Sequence, residues 1–486
     1  MTDFLRSLFL QQDASWGLVS LEFAAVFILF FAILILLRSR RSIMMAYVVA
    51  FSLFFAYKAS GTLMLLLPAT LLLSWFATRG MSHLRGIPRR IALALTVIAE
   101  FAPLAYYKYA DFTLLTLNHL LETNFQPLDM LLPVGISFYT FQAVSYSVDV
   151  YRGRFPSTTP LLEYSFYLTF FPLLMAGPIT RAETLIPQLH EGNSASKRDA
   201  ALPYQGLYLI LLGILKKVVV ADYVAQFTNW VFDSPTDYSG FENLMAVMGY
   251  TLQIFCDFSG YSDVAIGLAA IMGFQLKENF RFPYQSLNLT EFWRRWHIAL
   301  STWFRDYLYI PLGGNRHGRL RMYLGCLVTM LAAGLWHGAS WLFVLWGAMH
   351  GLGLIVHKAC KPWLDAIPNT GWVRALSWLL TFAYVTLAWV FFRSTSVENA
   401  CLLLSHIAED FSWDYLVPFV KARTAWSVFA IVGFALHALR GHHADSLKKT
   451  FVRTPWIVKL ILTIIVIQFA INVSSQGVAP FIYAQF

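Results

Sequence analysis

The sequence predicts an all-α, polytopic membrane protein with about 11–12 transmembrane helices and additional re-entrant helices. Three observations carry that expectation. Of 486 residues, 58% are hydrophobic and 13% are charged, about half the charged fraction of an ordinary soluble domain. Apolar runs of roughly bilayer-crossing length recur along the chain. The basic residues gather in the short gaps between those runs.

The first crossing is expected at 16–37. It has no clear small-residue cleavage site and is followed by further spans, so it reads as a retained helix, not a removed signal peptide. The preceding Phe4-Leu5-Arg6-Ser7-Leu8-Phe9-Leu10 suits the membrane interface. Crossings follow at 42–57, 61–77, 91–107, 131–149 and 204–222, then at 244–273, 322–339, 340–357, 374–393, 425–440 and 455–473. Arg38, Arg40 and Arg41 follow the first span; Arg79, Arg85, Arg89 and Arg90 follow the third. Arg316, Arg319 and Arg321 precede the eighth, and Arg440, Lys448, Lys449 and Arg453 precede the last. Placing all of these in the cytoplasm satisfies the positive-inside rule and leaves both termini outside.

Two segments do not read as spans. Residues 161–178 are apolar but carry Pro172 and end in Ala176-Gly177-Pro178; a crossing there would invert every later loop. Residues 290–312 hold Glu291, Arg294, Arg295, His297, Arg305 and Asp306 among aromatics, too polar to face lipid. Both are expected to be re-entrant, the second entering from the cytoplasmic side to line a cavity. The whole chain, 1–486, reads as a single integral-membrane domain.

The net charge of +9 is accounted for by cytoplasmic loops, and no helix-turn-helix, RNA-binding or basic-stripe pattern points to nucleic acid. The lipid bilayer is the expected partner. Cys256, Cys326, Cys360 and Cys401 show no C-x-x-C spacing, so neither a disulfide framework nor a zinc site is expected.

Residues 322–357 contain no Asp, Glu, Lys or Arg, yet include Leu335-Trp336-His337-Gly338. An ionisable group at membrane depth is costly and by default functional, and histidine exchanges protons near neutral pH. His337 and His297 form the leading catalytic pair. The structural readings are a helix-packing role for His337 and pairing of His297 with Asp306 or Glu291. His350 lies about 220° around from His337 on one continuous helix and reads as packing. In Asp257-Phe258-Ser259-Gly260-Tyr261-Ser262-Asp263, Asp257 and Tyr261 share a helix face. The two carboxylates need partners, for which Arg294, Arg295 and Arg305 are candidates; an ion-pair network and a catalytic role are both open. Ser137, Thr140 and Gln142 bring polar groups into another span. No Walker loop, G-x-G-x-x-G, H-E-x-x-H or G-x-S-x-G occurs.

Read together, these blocks resemble the membrane-bound O-acyltransferase family, most closely its bacterial alginate and peptidoglycan O-acetyltransferase branch. The matching text runs from Leu132-Pro133-Val134-Gly135-Ile136-Ser137-Phe138-Tyr139-Thr140-Phe141-Gln142 to Asp149-Val150-Tyr151-Arg152. It continues through Phe170-Phe171-Pro172, Ala176-Gly177-Pro178-Ile179 and the Asp257–Asp263 run. Phe292-Trp293-Arg294-Arg295-Trp296-His297, Pro311-Leu312-Gly313-Gly314-Asn315-Arg316, Leu335-Trp336-His337-Gly338-Ala339 and Pro480-Phe481-Ile482-Tyr483 complete it. The likeness covers roughly residue 60 to the end; Ala484 stands where the pattern has an aromatic.

The resemblance implies helices around a central tunnel, a catalytic core at 131–360, and acyl transfer from a thioester to a hydroxyl. It makes His337 the signature histidine and His297 the second catalytic position. His337 suits a general base. His297 has three open roles: orienting the donor, receiving the acyl group briefly, or passing a proton. Arg294 and Arg295 are candidates for the phosphates of acetyl-CoA, the expected donor substrate. Gln142, Asp257, Ser259, Tyr261, Asp263 and Trp336 complete the expected binding set. No bound cofactor or metal is expected. The acceptor would be an extracytoplasmic polysaccharide such as alginate, cellulose or peptidoglycan, reached with a periplasmic partner acetyltransferase at the bacterial inner membrane. The competing reading is a transporter with an intramembrane Asp/His proton relay; the lack of an inverted repeat counts against it.

Overall fold

A computed structural model describes residues 17–175, 177–190, 200–439 and 441–473. The Phe4–Leu10 stretch, Ala176, Arg440, the closing Pro480–Tyr483 motif and Ala484 lie outside the described residues, as do both termini. Among the described residues the regular structure is entirely helical.

The helices are α1 (Leu21–Leu37), α2 (Arg41–Ser60), α3 (Leu66–Ser82), α4 (Gly86–Leu121), α5 (Ile136–Tyr151), α6 (Leu161–Thr169), α7 (Phe171–Leu174) and α8 (Ala182–His190). Then come α9 (Leu202–Ile214), α10 (Asp222–Asp233), α11 (Gly240–Ile271), α12 (Leu289–Arg295) and α13 (Ile298–Phe304). The chain continues through α14 (Arg319–His337), α15 (Trp341–Leu364), α16 (Gly371–Arg393), α17 (Val397–Glu409), α18 (Leu416–Ala422), α19 (Thr424–Ala438), α20 (Gly441–Arg453) and α21 (Trp456–Val473).

Each of the twelve expected crossings coincides with helix; most ends are displaced by a few residues, but α4 runs on to Leu121 and α15 to Leu364, well past the expected 107 and 357. Among the described residues, seven helical runs are long and apolar enough to cross a membrane; α18 with α19, bent by 103°, could make an eighth. The count is below 11–12 for identifiable reasons. Segments 42–57 and 61–77 join through a 3₁₀ turn, Gly61–Leu65, into one helical run of 42 residues. The first crossing is an apolar helix of 17 residues and α5 has 16. The span at 204–222 is a 13-residue helix continued by a π-helical turn, Leu215–Ala221.

The two segments set apart in the sequence are short. Helix α6 has 9 residues and α7 has 4, so α6 rises about 14 Å against a hydrocarbon core of about 30 Å. Helices α12 and α13 have 7 residues each.

The chain forms two compact units: residues 1–210 with 264–277, and 211–263 with 278–486. In the first unit, α5 is buried on nearly every side from Ile136 to Ser147, which a lipid-facing helix would not be. Phe171 of α7 packs against Phe23, Phe30, Phe51 and Phe55. Glu163 of α6 is tied to Arg41 at 2.7 Å and to His190 at 3.0 Å.

In the second unit, α14 and α15 form a tight hairpin. Gly334 sits against the Phe343 carbonyl, and Gly347 against the Met330 carbonyl. Residue numbers fall on one helix as they rise on the other, so the two run antiparallel, and a Cβ at either glycine would push the backbones apart.

Candidate active site

His337 is the last residue of α14, and Gly338 stops the helix in an extended conformation. The Ser340 hydroxyl then accepts from the Leu342 N–H to start α15. This break corrects the sequence reading of His350. A continuous helix would put it some 220° from His337, but the chain turns back at Gly338-Ala339-Ser340. His350 therefore returns to the same cluster: its ring lies 4.7 Å from that of Trp346, which lies 5.0 Å from that of His337.

His297 sits between α12 and α13 with φ +41°, a left-handed conformation uncommon for a residue with a side chain. Such strain persists only where its surroundings impose it, and here the segment 279–281 does so. Arg281 N–H donates to Arg295 O at 2.9 Å, and Ile298 N–H to Asn279 O at 2.8 Å. The Asn279 side chain adds a contact of 3.1 Å from its Oδ1 to His297 Nδ1. Asp306 and Glu291, the partners expected for His297, are engaged elsewhere. Arg305 holds Asp306 at 2.8 Å, while Arg295 holds Glu291 at 2.6 Å.

The two histidines lie 40 positions apart in sequence and meet one indole. The Trp336 ring lies 5.8 Å from that of His297 and 5.1 Å from that of His337. Phe258 and Phe280 close around His297, and Trp346 and Phe392 around His337. His297 is 0% exposed and His337 2%. Edge-to-face ring contacts of this kind contribute about 0.5–1.5 kcal/mol each beyond area burial, which makes a stiff cage. Within it, His297 Nε2, Trp296 Nε1 and Trp346 Nε1 are buried with no hydrogen-bond partner among the described residues. An unmet buried donor or acceptor costs about 1–3 kcal/mol, so these three atoms are open to water or to a polar group of a substrate.

Below the cage lies a cavity of about 170 Å³, walled by Trp293, Leu300, Phe304 and the Cys326, Thr329, Met330 and Ala333 face of α14. Arg305, Tyr309 and Lys358 line it as well. The positions 326, 329, 330 and 333 follow the i, i+3, i+4, i+7 rule, and 337 continues the stripe. The cavity and His337 therefore occupy one face of one helix. Trp293 links them: it lines the cavity, its Nε1–H donates to His350 Nδ1 at 3.3 Å, and its ring lies 5.7 Å from that of Trp346.

The Asp257–Asp263 run meets different partners from those expected. Asp257 pairs with Lys217 at 2.5 Å, and Lys217 also holds Asp222 at 2.6 Å. Asp263 pairs with Lys216 at 2.6 Å. Tyr261 lies under the Lys217 ammonium at 5.6 Å. Arg294 is exposed, Arg295 reaches its own helix's Glu291, and Arg305 its neighbour Asp306. The arginines sit on short helices whose i, i+4 and adjacent acids are within reach, whereas the lysines of the span before α10 face α11 directly. Ser259 Oγ is buried without a partner among the described residues. Gln142 belongs to the first unit, where its carbonyl accepts from the Tyr167 hydroxyl at 3.2 Å and its Nε2 is buried without a partner among the described residues.

The family model described as MBOAT, membrane-bound O-acyltransferase family, matches residues 154–399, which include both histidines. A probable alginate O-acetylase (AlgI) of Pseudomonas putida is 34% identical over 462 residues, covering 90% of this chain and 93% of that protein. The chain belongs to the membrane-bound O-acyltransferase family. This multi-pass membrane protein is thus an O-acyltransferase, and the transporter reading falls. A peptidoglycan O-acetyltransferase of Helicobacter pylori is 38% identical over 342 residues, 65% of this chain and 64% of that protein. A teichoic acid D-alanyltransferase of Bacillus subtilis is 28% identical over 307 residues, 61% of this chain and 76% of that protein.

Several residues of this acyltransferase's site escaped the sequence reading. Lys216 and Lys217 carried a usable signal, since two lysines inside an apolar span demand intramembrane carboxylates. Trp346 and Phe392 look like ordinary apolar helix residues. Asn279 lies in an irregular stretch with no periodicity to single it out.

Proposed function

We propose that this enzyme takes an acetyl group from a cytoplasmic thioester, acetyl-CoA, and passes it across the membrane for O-acetylation of an extracytoplasmic polysaccharide. The carbon–sulfur bond of the thioester breaks, a carbon–oxygen bond to the acceptor hydroxyl forms, and the hydroxyl proton goes to the thiolate. His337 is the general base that takes that proton. His297 acts on the same acyl group from the other side of Trp336. Lys358 and Arg305 at the cavity meet the negative charge of the donor, and the narrow apolar walls take its uncharged thioester arm. The alginate and peptidoglycan enzymes among the relatives support a glycan acceptor; cellulose is a third candidate. A periplasmic partner acetyltransferase completes the transfer, with both termini of this chain outside the inner membrane.

The observation that carries this reading is the meeting of His297 and His337 on one buried indole, on the helix face that also lines a cavity with basic side chains. The test uses purified protein in proteoliposomes with radiolabelled acetyl-CoA supplied on one side and partner and glycan on the other. Wild-type protein is expected to deliver label to partner or glycan, while His337→Ala delivers none. Failure of wild-type protein to release or transfer label in the presence of its partner overturns the reading of donor and direction.

A further inference from the structure

We infer that Asn279 is the positioning residue that fixes the tautomer of His297, so that Nδ1 carries the proton and Nε2 presents its lone pair to the acyl group. The inference rests on the acyl-transfer reading for what Nε2 meets, but the tautomer itself follows from hydrogen-bond logic alone.

The Asn279 carboxamide makes three contacts. Its Oδ1 receives the backbone N–H of Ala299 at 3.1 Å. A backbone N–H can only donate, so the atom facing it is the amide oxygen and not the nitrogen. The amide nitrogen then faces the Ser262 hydroxyl, 3.1 Å away on α11. The same Oδ1 lies 3.1 Å from His297 Nδ1. An amide oxygen has no hydrogen to give, so the ring nitrogen must be the donor. In a neutral imidazole one nitrogen carries the proton and the other the lone pair, which leaves Nε2 as the acceptor. Nε2 is also the ring atom that is buried without a partner among the described residues.

His350 is the internal contrast. Its Nδ1 accepts from the Trp293 indole N–H at 3.3 Å, so its proton belongs on Nε2. Two buried histidines in one cage thus hold opposite tautomers, each set by one neighbour. Asn279 is well placed to do this rigidly. Its own carbonyl accepts from Ile298, its oxygen from Ala299, and its nitrogen reaches α11. It braces the left-handed turn at His297 and the ring together. An amide, unlike a carboxylate, directs the proton without adding charge to the site.

The experiment pairs spectroscopy with kinetics. In protein labelled with ¹⁵N-histidine, the signal lost in His297→Gln identifies His297; it is expected to show a protonated Nδ1 and an unprotonated Nε2. A protonated Nε2 overturns the inference whether or not the acetyl-transfer reading holds. Kinetically, Asn279→Leu removes the acceptor at similar volume, and kcat should fall about 10²–10⁴-fold, comparable to the loss of a correctly protonated catalytic group, with donor KM little changed. Asn279→Asp restores an acceptor for both N–H groups but adds a negative charge. It should recover activity, with the acid limb of the pH–rate profile moved upward by about one to three pH units. A wild-type rate and unchanged pH profile in both variants overturns the positioning role. If the tautomer is as inferred but wild-type protein moves no acetyl group, it is the functional reading that has failed.

Discussion

Helix α11 separates two buried polar regions that solve the same problem in opposite ways. One face carries Asp257 and Tyr261 and meets Lys217, so the charges there neutralise one another within salt-bridge distance. The other face carries Phe258 and Ser262 and meets the His297–Asn279 turn, where the polar groups are neutral and His297 Nε2 is left open. Buried charge must be paired or it destabilises the fold by several kcal/mol. A neutral nitrogen costs less to leave unmet, so it can be kept in reserve for a substrate. On the proposed function, the ionic face is the structural one and the aromatic face is the one assigned to the chemistry.

The contrast is sharpest at His337. Replacing it by alanine should abolish acyl transfer, by about 10²–10⁴-fold, while the detergent-solubilised protein still folds at near wild-type yield, its unfolding midpoint lowered only by the lost ring contacts. A near-normal rate at wild-type expression removes His337 from the proposed chemistry. His297→Ala should also lower the rate, and its unfolding profile tests whether the turn is held by Asn279 without the ring.

On the ionic face the expected signature is reversed. Asp257→Ala removes one of the carboxylates that hold the buried Lys217 ammonium and should cost about 3–5 kcal/mol of stability, read as a lower yield of folded, monodisperse protein. Replacing the network with apolar residues of similar volume, Lys217→Met with Asp257→Leu and Asp222→Leu, should recover yield and most of the activity. If that triple variant folds but is inactive, the ionic face takes part in catalysis and the division between the two faces is wrong.

Smaller effects are expected at the edges of the cage. Lys358→Ala should raise donor KM several-fold with little change in kcat, because its ammonium lines the cavity away from the histidines. His350→Phe should cost about 0.5–1.5 kcal/mol through loss of the Trp293 hydrogen bond, with activity reduced far less than at His337. A His350 variant as inactive as His337→Ala would move it into the reacting set. Orientation is checked without any loss of function: in a Cys401→Ser background, Ser396→Cys should react with an impermeant thiol reagent on intact cells and Ser446→Cys should not.

The sequence by itself determined the helical membrane class and where the apolar helical segments lie, and it singled out the two histidines as candidates. Those properties are written in local terms: apolar run length, loop charge, and the expense of an ionisable group in an uncharged segment. Pairings were not legible in the same way. Asp257 could be matched to an arginine or a lysine on charge alone, and only the packing of α11 against the Lys216-Lys217 turn decided for lysine. His350 looked remote because an angle on one helix was used where Gly338-Ala339-Ser340 makes two. Asn279 left no periodic mark, since its role depends on a chain reversal that brings it beside residue 297. Helices follow from nearest-neighbour chemistry, but a proton's position on one ring depends on a donor and an acceptor brought together from distant parts of the chain, which only the tertiary structure supplies.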